Sequence, residues 1–96
     1  MLTENIKIGH VNFSIKETEN FDHSAQIVYE TAVITLKAGL HQDFLASSVW
    51  HEVCHAITSQ AGISKMIPEE LEESLMECLS NGIVQVLRDN PMLRNL

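Results

Sequence analysis

Basic residues are scarce in this 96-residue chain: six Lys and Arg stand against 13 Asp and Glu, giving a formal charge of −7. The six form no cluster able to neutralise phosphates, so nucleic acid is not an expected ligand. Long apolar runs are also missing, and the start, Met1-Leu2-Thr3-Glu4-Asn5, has neither the basic residues nor the apolar stretch of a secretion signal. No membrane partner is expected, and the expected compartment is the cytosol. Cysteine is limited to Cys54 and Cys78, both within expected helices rather than in a loop-rich disulfide framework. They are read as reduced, buried thiols. With only two prolines, no repeat and no low-complexity segment, a composition of 45% hydrophobic and 20% charged residues is that of a folded chain. Its length allows one domain with one modest core, burying roughly 60–65% of the unfolded surface.

Hydropathy alternates from Ile6 to Lys16 but slips phase at Gly9-His10, where a tight turn would join two short strands. Two further β-rich runs, Gln26 to Tyr29 and Ala32 to Leu36, flank Glu30-Thr31 and read as a hairpin. The first third is thus expected to form a small antiparallel sheet, about residues 6–37. A helix is expected over about 43–61, with Asp43 as N-cap and Gly62 just beyond its end. Leu45, Val49, Trp50, Val53, Ala56 and Ile57 share its apolar face. A second helix, about 68–89, opens with Pro68-Glu69-Glu70 and stops at Asn90-Pro91. Its expected core stripe is Leu71, Leu75, Cys78, Leu79, Gly82 and Val86.

The first helix carries His51-Glu52-Val53-Cys54-His55, an HExxH sequence. Residues four apart project from one helical face, so both imidazoles can reach one metal ion, opposite the apolar stripe and beside Ser48, Thr58 and Ser59. Glu52 points about 100° away from His51 and is placed to act on a metal-bound water rather than on the metal. Catalytic zinc uses three protein ligands and one water, so Glu52 reads as general base and one ligand is still to be found. The second helix offers Glu69, Glu70, Glu72, Glu73 and Glu77; composition does not choose among them, though Glu77 lies deeper, where the helix turns apolar. Tyr29, His23 and His41 are the visible candidates for an oxyanion-stabilising group, none with a diagnostic spacing.

HExxH followed after 21 residues by Glu77-Cys78-Leu79-Ser80-Asn81 resembles the gluzincin pattern, whose second helix carries E-x-x-[AS]-[ND]. The order of sheet, HExxH helix and glutamate helix is similar to ImmA/IrrE-type metallopeptidases, especially their short phage and prophage relatives, over roughly residues 6–90. The resemblance implies an α+β minimal zincin with zinc held by His51, His55 and Glu77, Glu52 as catalytic base, and a protein or peptide substrate lying along the sheet edge. Members of that group are linked to the control of transcriptional repressors. It also implies that Ser80 and Asn81 support the histidines by hydrogen bonds. This chain is shorter than usual for the group, and the helix that often precedes the sheet is not expected in it. The competing expectation is a zinc-binding interaction module without proteolytic activity.

Overall fold

The computed structural model describes residues 4–96; Met1 to Thr3, part of the N-terminal stretch discussed above, lie outside the described residues. Four strands come first: β1 (Asn5–Ile8), β2 (Val11–Thr18), β3 (Ala25–Val28) and β4 (Val33–Lys37). Two long helices follow, α1 (Gln42–Gln60) and α2 (Glu69–Asp89), with a 3-10 turn at Ile63–Lys65 between them and another at Pro91–Asn95. The class is α+β, as expected. Among the described residues no helix is long and apolar enough to cross a membrane.

Gly9 and His10 do form the two-residue turn between β1 and β2, and Gly9 takes the positive φ (60°) that such a turn requires at its first position. Because Ile8 pairs with Val11 and Ile6 with Phe13, the phase slip brings both strands' apolar residues to one face. Gly9 has a second reason to be glycine. The Gln60 side chain donates a 2.7 Å hydrogen bond to the Ile8 carbonyl, and a Cβ on Gly9 would collide with that side chain.

The sheet is mixed, not antiparallel: its order is β1-β2-β4-β3, and β2 pairs with β4 in parallel. The cause lies in the segment from Glu19 to Ser24, which carries the chain past the width of one strand. β4 then returns into the gap, where the Lys37 amide bonds to the Ser24 carbonyl and the Ala38 amide to the Thr18 carbonyl. β4 thereby gains partners on both sides, and Ile34 and Leu36 lose all exposure. Burial of each contributes about 1.5–3 kcal/mol. β3 is left at the edge. The β3–β4 connection is also one residue wider at each side than expected, a four-residue loop closed by the Ala32 amide on the Tyr29 carbonyl, with Ala32 at φ 55°.

The sheet's inner face, with Ile8, Phe13, Ile15, Ile34 and Leu36, packs on Leu45, Val49, Val53 and Ala56 of α1. Ile57, expected in that face, is 54% exposed. His41 rather than Asp43 caps α1, its Nδ1 accepting from the Asp43 amide at 3.2 Å, while Gly62 ends the helix region at φ 78° as expected.

α2 packs antiparallel on α1, pinned at one end by Arg88 to Asp43 at 3.1 Å, and forms a third tier away from the sheet. The residues it turns toward α1 are Glu72, Met76, Ser80, Ile83, Val84 and Leu87. The stripe expected to be core is one residue out of step, about 100° round the helix, and Leu71, Leu75, Cys78, Leu79 and Val86 are exposed. Cys78 is therefore not the buried thiol expected. Cys54 is, and burial raises its pKa.

Candidate metal centre

His51 and His55 lie one turn apart on α1, and their Nε2 atoms are 3.1 Å from each other. Across the helix pair, the Glu73 Oε1 stands 2.8 Å from the His55 Nε2 and 3.2 Å from the His51 Nε2. These three side chains form a group able to hold a metal ion, with one donor atom from each within 4.8 Å of the others. The antiparallel packing explains the meeting: every fourth position of α1 faces every fourth position of α2.

The outward nitrogens also have carboxylate neighbours. His55 Nδ1 is bonded at 2.8 Å to Glu72, which itself accepts from Ser64 at 3.3 Å. A proton held on Nδ1 by Glu72 leaves the Nε2 lone pair pointing inward. His51 Nδ1 is 3.3 Å from the Glu77 Oε2. Glu77, the carboxylate that the resemblance implies as ligand, thus stands at the outward nitrogen of His51, and Glu73, one turn earlier, faces both inward nitrogens. Asn81 reaches Glu77 at 3.4 Å, and Ser80 donates to the Glu77 carbonyl, so both residues support Glu77 and neither bonds to a histidine.

Glu52 is only 6% exposed, and its burial raises its carboxyl pKa, with Glu73 and Glu77 adding to the rise and the two histidines opposing it. It lines two clefts at once. One, of about 550 Å³, is also bordered by His23, Gln26, Ile27, Tyr29, His55 and Glu73. The other, about 200 Å³, is bordered by Ser24, Phe44, Ser48, His51 and Glu77, and the two share Ala25 and Glu52.

Of the three oxyanion candidates, Tyr29 and His23 border the larger cleft, while His41 is engaged in capping α1. The Tyr29 hydroxyl pKa is raised, chiefly by burial. The role of Glu72 was not visible in the sequence, because a run of glutamates gives no signal of which one meets an imidazole edge. No family model, curated protein or solved structure matches this chain.

Proposed function

We propose that the protein is a zinc-dependent peptidase, and the observation that carries this reading is the convergence of His51, His55 and Glu73 beside the buried carboxyl of Glu52. The donor set suits zinc: ligands of a tetrahedral ion at about 2.0–2.1 Å stand about 3.3 Å apart, close to the 2.8–3.2 Å among these atoms. Zinc bound there supplies Lewis acidity and brings the pKa of water toward about 7. His51 and His55 hold the metal, with Glu73 as the nearest carboxylate and Glu77 one turn away.

Glu52 accepts a proton from the attacking water and returns it to the leaving amine. Its raised pKa suits both halves of that exchange. Tyr29, on the larger cleft, can donate to the oxygen that gains negative charge. The clefts meet along β3, an edge strand whose free backbone groups can pair with an extended peptide, which favours a peptide or protein substrate lying along the sheet. In this reading the chain is a minimal zincin of the gluzincin type, acting on a protein such as a regulator.

Replacement of Glu52 by Gln is the test. The variant is expected to retain zinc by elemental analysis and to lose about 10²–10⁴-fold in cleavage of a peptide library. Equal cleavage by Glu52→Gln and the parent would refute the mechanism, and a zinc-loaded parent that cleaves nothing would leave a zinc-binding module.

A further inference from the structure

The stripe that α2 turns to solvent stands apart from the metal centre and is unexpectedly apolar for an acidic protein. Leu71 and Leu79 are 49% exposed, Leu75 41% and Val86 40%. With Cys78 and Gly82 they form a continuous row about 22 Å long, and Cys78, Leu79, Gly82 and Val86 border a surface groove with hardly any polar lining. We infer that this face pairs α2 with α2 of a second copy, antiparallel, about a two-fold axis between Cys78 and Leu79.

Shape and charge both point to a second copy. A two-fold at that position sets Leu71 against Val86, Cys78 against Leu79, and Leu75 against Gly82, so a large side chain meets a notch twice. The five glutamates of α2 project away from the stripe, four of them by about 130° or more at 100° per residue. The neighbouring residues on its open flank, Ser74, Asn81 and Gln85, are uncharged. A partner recognised by charge would need charged residues here. A copy that itself carries −7 can approach only where charge is nearly absent, as it is on this face. The one charge within the stripe, Asp89, lies at its end, level with Pro68 of the second copy and outside the row of paired apolar residues. A single helix face is small beside the roughly 800 Å² per partner of a standard interface, so the dimer is weak and concentration-dependent.

Sedimentation over a dilution series, in chelator and again with zinc, reads this directly. The mass is expected to climb from 10.8 kDa toward twice that value in both conditions, which separates this inference from the metal reading. A short bis-thiol cross-linker should trap the dimer through exposed Cys78, and Cys78→Ser should abolish the product, since Cys54 is buried. Gly82→Leu fills the notch and is expected to weaken association at least about tenfold. A Cβ at Gly82 meets nothing within 4 Å and leucine is the better helix former, so this variant should melt no lower than the parent. A chain that stays at 10.8 kDa at every concentration, or a Gly82→Leu variant that dimerises like the parent, overturns the inference.

Discussion

Three glutamates within six positions do different work around two imidazoles. Glu73 faces both Nε2 atoms, whereas Glu72 and Glu77 face the outward nitrogens of His55 and His51. Loss of an outer partner of a ligating histidine costs roughly 10–100-fold in metal affinity, so Glu72→Ala and Glu77→Ala are expected in that range and Glu73→Ala beyond it, measured by competition with a chelating dye. A larger loss at Glu77 would return the ligand role to the residue that the E-x-x-[AS]-[ND] resemblance implies. The same contacts set a pH dependence. Burial opposes the charged form of His55, but its bonds to Glu72 and Glu73 outweigh this and hold its pKa above 6.5. In Glu73, burial raises the pKa, and the bonds to His55 and His51 outweigh it and bring it below 4.5. Without metal, the stabilisation from protonated His55 is complete below its unfolded pKa and is lost as pH rises through the folded one. That from Glu73 is present above 4.5 and lost as pH falls through its folded pKa. Glu52, with its pKa raised by burial, adds a loss that begins above 4.5 and runs as pH rises through its folded pKa. Metal-free protein should therefore melt highest between these limits and lower as pH rises past 6.5, while the zinc-loaded protein gains because zinc displaces protons. Melting curves at a series of pH values, with chelator and with zinc, should diverge as pH increases. Parallel curves would contradict the shared use of these side chains by proton and metal.

The β1–β2 hairpin and the reach of α1 were legible because their signals are local. Gly9-His10 fixes a turn, Gly62 ends a helix, and HExxH needs only a helix to bring two histidines together. The parallel β2–β4 ladder was not, because a strand's own sequence does not name its neighbour, and β3 had to be displaced to the edge for β4 to enter. Nor was the orientation of α2. Apolar residues cover about half its circumference, so Leu71-Leu75-Leu79 and Met76-Ile83-Leu87 are equally good stripes by periodicity, and only packing on α1 separates them. That rotation of about 100° also decides which glutamate meets the histidines. The lock between the hairpin and the end of α1 yields a direct test. Gly9→Ala must accept a left-handed φ and displace Gln60, for an expected cost of about 1–3 kcal/mol, whereas Gln60→Ala loses only the bond to Ile8 and costs about 1 kcal/mol. In the Gln60→Ala background, Gly9→Ala should cost less, since the collision is gone while the backbone strain stays. Denaturant titration of the four proteins measures this, and strict additivity would mean that the two residues do not meet.

A three-tier molecule of this size has one modest core, between the sheet and α1, and α2 is held chiefly by contact with α1 and by the cluster of imidazoles and carboxylates between them. A metal bound at that cluster would join α2 to α1 at the point where three glutamates crowd together, so its effect on stability should be large relative to the whole. At a free zinc concentration about a hundredfold above the dissociation constant, mass action adds about 2.7 kcal/mol to the native state. For a domain of this length each kcal/mol moves the melting temperature by roughly 4–8 °C, which gives an expected rise of about 11–22 °C over the chelated protein. His51→Ala and His55→Ala should each erase most of that rise, because one imidazole and one carboxylate make a poor zinc site. Ile34→Ala, by contrast, removes buried methyl groups from the sheet core and should lower the melting temperature with and without zinc alike, at a cost of about 2–5 kcal/mol, while leaving the zinc-dependent increment intact. A parent protein that melts at the same temperature in chelator and in zinc would show that the histidines of α1 pair with the glutamates of α2 for structure alone.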